Sequence, residues 1–148
     1  MYYTSKEIST AINKSTEIIN YRAKEEGYVR GFSDCYALLV EYDRVLRGKT
    51  KADDILNFEY LNTKEFLYKM LKRGYNFESF AKACNYEILT KPRPMFGDIG
   101  FKNGSAMIAG EYRWVTVEED KKGVRSGTQY SYFERNLQIL ARPLRSSL

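Results

Sequence analysis

The 148-residue chain is 43% hydrophobic and 29% charged, enough apolar material for one domain with one core, and it has no apolar run of membrane-spanning length. Its formal charge of +5 comes from 24 Lys and Arg against 19 Asp and Glu, scattered in short clusters at Lys72-Arg73, Lys121-Lys122 and Arg142 with Arg145 rather than gathered into the stripe a nucleic-acid surface needs. There is no histidine, which excludes a cysteine–histidine pair, a serine–histidine triad and an ordinary zinc site built by this chain alone.

The opening residues, Met1 to Glu7, contain no apolar h-region, so no secretion signal is expected, and Cys35 and Cys84 are expected as thiols in a reducing compartment. Thr4 and Glu7 have capping-box spacing, and Ile8, Ala11, Ile12, Ile18 and Ile19 recur at helical intervals, predicting a first helix that ends by Gly27. Tyr28 to Ser33 reads as an irregular connection. Asp34 then caps a buried helix running to about Arg47, with Leu38, Leu39, Tyr42, Val45 and Leu46 on one face and Gly48 as its stop. Lys49 to Phe58 is polar and reads as a surface loop. Asn62 or Thr63 caps a helix over Lys64 to Arg73, with Phe66, Leu67, Met70 and Leu71 on one side. Asn76 caps a shorter one reaching Cys84, whose thiol is assigned to packing.

After residue 85 the period changes. Tyr86 to Leu89 is strand-like, and Lys91-Pro92-Arg93-Pro94 imposes an extended connector. Asn103-Gly104 between the apolar runs Gly97 to Lys102 and Ser105 to Ala109 is a strong hairpin signal. A third strand is predicted over Tyr112 to Glu118, then a charged turn from Glu119 to Gly123. Ser126 to Asn136 is ambiguous, although Tyr130, Tyr132 and Phe133 suggest partial burial, and Leu137 to Ala141 reads as the last strand. Helices first and an antiparallel sheet second predict an α+β domain over residues 1–148, with a polar tail over 142–148 poorly suited to packing on its own domain.

The chemistry-bearing stretch is Gly31-Phe32-Ser33-Asp34-Cys35-Tyr36, which places Cys35 at a helix N-terminus. There, unpaired N–H groups and the helix dipole favour a thiolate; the alternative is a small core residue that happens to open a helix. Asp34-Cys35-Tyr36 followed by Leu38 and Val40, then Pro94-Met95-Phe96-Gly97-Asp98-Ile99, resembles in order and spacing the NlpC-type members of the papain-like cysteine peptidase superfamily. These cleave peptide bonds in bacterial cell-wall stems, and the likeness is to the branch found in bacteriophage tail assembly and tail-tip proteins. The resemblance implies a papain-like NlpC-type fold, with N-terminal helices packed on a small antiparallel sheet. It puts Cys35 at the nucleophile position and Ala106, or its neighbour Ser105, at the position of the family's general-base histidine. The third polar residue falls around Thr116 or Glu118.

Neither alanine nor serine can take a thiol proton and return it to a leaving amine near neutral pH. The resemblance therefore implies a structural or assembly component of a phage tail, tail tip or baseplate, in which Cys35 is a vestigial nucleophile and no residue is catalytic. It would reach the virion after assembly in the bacterial host cytoplasm, with other tail proteins as partners, self-association left open, and no membrane, cofactor or metal involved. Fifteen percent aromatic residues, 13 of them tyrosine, suit such an interface, though more than half of the rings are expected in the core. Two alternatives stand beside it. One is an active cysteine peptidase or amidase using Glu118, Asp98 or a partner's group as base. The other is a small module binding nucleic acid or a host factor, for which only the positive charge argues.

Overall fold

A computed structural model describes residues 1–48, 50–90, 93–118, 123–129 and 137–145, with 125–129 described by backbone alone. Lys91-Pro92, the turn over 119–122 with Lys121-Lys122, the rings of Tyr130, Tyr132 and Phe133, and tail residues 146–148 lie outside the described residues. The helices are α1 (Ser5–Glu26), α2 (Cys35–Arg47), α3 (Lys51–Leu56), α4 (Thr63–Lys72) and α5 (Phe77–Ala83). The strands are β1 (Tyr86–Ile88), β2 (Ile99–Lys102), β3 (Ser105–Ala109), β4 (Arg113–Val117), β5 (Val124–Gln129) and β6 (Ile139–Pro143). The chain is an α+β protein in which, among the described residues, helices precede a six-stranded sheet of order β1-β6-β2-β3-β4-β5, every pairing antiparallel. No helix among the described residues is long and apolar enough to cross a membrane.

Local chemistry sets most helix ends. Thr4 and Glu7 form the capping box that opens α1, and the Asp34 carboxylate accepts the Ala37 N–H at 2.9 Å to open α2. Asn62 and Asn76 do the same for α4 and α5. The hairpin turns at Asn103-Gly104, where both residues have positive φ (52° and 76°) and Lys102 faces Ser105 across the two-residue loop. Glycine is required there twice over, because a Cβ on Gly104 would sit 2.4 Å from the Thr63 methyl.

Helix α2 is the centre of the molecule: every residue from Cys35 to Asp43 is buried, between α1 on one side and the β3–β4 region on the other. Val45 and Leu46, at its far end, are only half-buried, as is Ile18 of α1, whereas Ser15 is fully buried and returns its hydroxyl to the Ala11 carbonyl at 2.7 Å. Two acids enter this core because each is neutralised. Glu41 meets Arg22 (3.1 Å) and Arg44, while Asp43 meets the Arg47 guanidinium (2.8 Å), the Tyr86 hydroxyl (2.8 Å) and the Thr50 hydroxyl.

Four expectations are corrected. The predicted surface loop over Lys49 to Phe58 contains α3, capped by Thr50, with Ala52 and Ile55 buried; six residues are too few for a helical period to show against the lysines and aspartates around them. The ambiguous stretch from Ser126 begins inside β5. The tail is not a free polar extension as far as residue 145. Arg142 and Pro143 belong to β6, and Leu144 bridges to Tyr2 and is held through backbone bonds to Asn85. Arg142 grips buried Asp98 at 2.8 and 3.0 Å, and Arg145 pairs with Glu7. A basic tail reads as solvated in sequence because its acidic partners lie 44 and 138 residues away. Leu71 is also exposed rather than on the buried face of α4, which Phe66 and Met70 supply.

Candidate functional site

The first turn of α2, the Asn103-Gly104 turn, the end of β4 and the loop before α2 surround a cleft of about 380 Å³. Cys35 lies in its wall but is itself buried, 7% exposed. The structure brings together two positions, 71 residues apart, that the family resemblance implied to be partners: the Ala106 N–H donates to the Cys35 sulfur at 3.4 Å, and Ala106 is 1% exposed. Thr116 completes this arrangement by donating its hydroxyl to the Ala106 carbonyl at 2.8 Å. Ser105, the alternative to Ala106, and Glu118 both line the same cleft.

Asp98 does not. Its carboxylate is fully buried in a separate place, bonded to Arg142 and to the Met95 N–H at 2.8 Å, next to Gly97, whose carbonyl accepts the Tyr42 hydroxyl at 2.6 Å. Burial pushes the Asp98 carboxyl above its usual range even though Arg142 and the Met95 amide oppose the shift. Asp98 therefore acts where β2 and β6 meet and is excluded as a base for Cys35. Cys84 is buried in the main core, at the end of α5, in agreement with its assignment to packing.

The electrostatics of Cys35 differ from the helix-terminus expectation. Burial, followed by the charge of the adjacent Asp34, pushes its thiol up to about 12, against smaller opposing effects from the Ala106 amide and Arg30. At neutral pH the sulfur is a protonated thiol. The helix end cannot favour a thiolate here, because the residue that caps it is an anion and water is largely excluded. Asp34 is itself held in place: beyond Ala37, its second oxygen accepts the Tyr60 hydroxyl, whose own ionisation is suppressed first by burial and then by Asp34.

Aromatic packing fixes the rest of this wall. Tyr36 stacks on Phe66 with ring centroids 3.7 Å apart and donates its hydroxyl to the Gly104 carbonyl, tying the hairpin turn to the first turn of α2. Tyr60 meets the same Phe66 edge-on at 4.9 Å. Sequence reasoning picked out Tyr36 only as part of the Asp34-Cys35-Tyr36 motif and gave Tyr60 no role. Tyr60 carries no local signal, since it reaches Asp34 only because α3 and α4 fold back over the start of α2. Arg30 and Lys102, the cations of the cleft, were likewise unmarked.

Among the described residues no group of three or more acidic or cysteine side chains is arranged to hold a metal ion. What the cleft offers is hydroxyl groups, two cations, two carboxylates and aromatic walls around an unionised thiol, a set suited to binding rather than to nucleophilic attack. Comparison with protein families, with curated proteins and with solved structures finds no match for this chain.

Proposed function

We propose that this protein is a non-catalytic structural or assembly component of a bacteriophage tail, at the tail tip or baseplate, built on an NlpC-like papain-type frame. One observation carries the reading: opposite the Cys35 sulfur, at hydrogen-bonding distance, stands the backbone amide of Ala106. An amide N–H can donate to sulfur but cannot accept its proton, so the thiol has no base at this contact. The order of elements supports the NlpC-like part of the reading. A capped helix opens on the cysteine, and the Gly97-Asp98 segment leads into β2, the hairpin and β3, whose second residue faces that cysteine.

The competing reading, a cysteine hydrolase using another base, has one feature in its favour: Glu118 lines the same cleft. A carboxylate serves a thiol as base only when the two pKa values approach each other, and a thiol pushed up to about 12 lies far above the ordinary carboxylate range.

The test is genetic and biochemical together. Disrupting the gene should abolish infectious particles, and the protein should be found by mass spectrometry in particles or in their assembly intermediates. Infectious particles formed without it, or its absence from both fractions, would overturn the assembly reading. Turnover of cell-wall muropeptides that disappears in Cys35→Ala would replace it with the hydrolase.

A further inference from the structure

The cleft beside Cys35 contains charges that the fold does not use. Lys102 at the end of β2, Ser105 at the start of β3 and Glu118 just past β4 line it together. Lys102 and Ser105 are register partners, and the β3–β4 register, Ile108 to Val115 and Ala109 to Trp114, continues to bring Glu118 level with Ser105. Cross-strand partners project to the same face, so the three form a row of cation, hydroxyl and carboxylate on adjacent strands. At the usual strand spacing the outer two backbones are about 10 Å apart. Among the described residues, none of these three side chains makes a hydrogen bond or an ion pair, in a molecule whose buried side-chain polar atoms all have partners. Lys102 and Glu118 do not reach each other, which leaves a gap between opposite charges with a hydroxyl midway.

The cleft does not end there. Through Tyr28 and Arg30 it runs into a second, shallower concavity of about 1100 Å³ between the loop before α2 and the segment joining α3 to α4. Apolar side chains stand exposed around this concavity at Val29, Phe32 and Leu61, the last 81% exposed. The polar row runs on into a concavity where these apolar side chains stand among Glu59, Glu65 and Lys69, and both parts are open, whereas small-ligand sites enclose most of their ligand. An extended polypeptide segment matches this mixed, open surface.

We propose that this continuous groove seats an extended segment of a partner protein. The segment brings an acidic side chain to Lys102 and a basic side chain to Glu118, with Ser105 bonding between them, and lays apolar side chains along Val29, Phe32 and Leu61. This names the kind of partner that the assembly reading requires and rests on that reading. Cys35 lies in the groove's wall but is only 7% exposed, so its thiol presents little surface to the segment. Opposite charges fix the direction of the segment, because reversing it would set like charges against each other.

A random linear-peptide display library panned against the intact protein is the test. Enriched peptides should carry one basic and one acidic side chain followed on one side by apolar residues. The best of them should bind Lys102→Glu or Leu61→Glu about tenfold more weakly than the native protein. Leu61 is exposed and Lys102 half-buried, and unchanged cooperative unfolding of each variant establishes that the fold is intact. The double exchange Lys102→Glu with Glu118→Lys should recover binding to the peptide whose own acidic and basic residues have been exchanged. Failure to enrich peptides, enrichment without the charge pair, undiminished binding to Lys102→Glu, or equal occupancy by glycylglycine alone would each overturn the proposal. Because no step uses particles, these results separate from the genetic test: a dispensable gene sinks the assembly reading, and a groove indifferent to charge sinks this one.

Discussion

The two ends of α2 are built on opposite principles. At its C-terminal end Asp43 receives Arg47, Tyr86 and Thr50, and Arg47 reaches on to the backbone carbonyls of Asn85 and Leu144, so that β1, β6 and the helix share one closed network. At its N-terminal end the capping carboxylate is just as firmly held, yet the surface above it keeps an open cleft in which Lys102, Ser105 and Glu118 find no partner among the described residues. The closed end uses each of its charges to hold the fold. The open end could lose Lys102 and Glu118 without any loss of pairing among the described residues. Buried ion pairs are costly to break and exposed charges contribute little, so stability belongs to the first region and recognition to the second.

The sharpest way to break that contrast is Asp43→Ala. It leaves a guanidinium 10% exposed and two hydroxyl groups without their acceptor, and should destabilise the protein by about 3–5 kcal/mol in urea unfolding. A loss below about 1 kcal/mol would mean the network is no more than a surface pair.

Arg142→Ala tests the neighbouring seam and should cost about 3 kcal/mol at neutral pH by stranding the buried Asp98 carboxylate. Its pH dependence has a definite sign. The folded-state pKa of Asp98 is raised, so the stability linked to its proton is fully present below the unfolded value of about 4 and is lost as pH rises through the folded value. Without Arg142 that loss deepens, and the difference between variant and native protein should shrink on acidification toward about pH 4. A difference constant with pH would show that Arg142 acts through packing on Tyr2 rather than through Asp98. The same contacts hold residues 142–145 to the fold, against the expectation of a tail poorly suited to packing on its own domain.

The smallest effect belongs to the open end. Cys35→Ala should cost only about 1–2 kcal/mol, from a lost sulfur contact and a small cavity, and leave particle formation unchanged. In the native protein Cys35 should alkylate far more slowly with iodoacetamide than in urea, with the rate still climbing as pH approaches the thiol's value of about 12. Rapid labelling at neutral pH would identify a thiolate and turn the comparison around, making the N-terminal end the reactive one.

Much of the scaffold was readable in one dimension because its signals are local. A capping side chain bonds an amide three residues away, and a type I′ turn needs two consecutive residues tolerant of positive φ. Thr4, Asp34, Asn76 and Asn103-Gly104 accordingly appear where the chain announces them. The candidate site was partly readable for the same reason, since Asp34-Cys35 marks a helix start wherever that helix is placed. The cleft's cations and the Tyr60 anchor were not, because each is brought in by another element.

By itself, then, the sequence determined the class of the protein, the caps, the hairpin and the impossibility of a histidine base, all of which depend on residue type or on spacings of a few positions. Only the tertiary structure decided that β6 inserts between β1 and β2 and that Arg142 answers Asp98. It also decided that a thiol at a helix N-terminus stays protonated. Helix position adds a local field that sequence can anticipate, whereas desolvation depends on everything packed around the sulfur, and here it is the larger of the two.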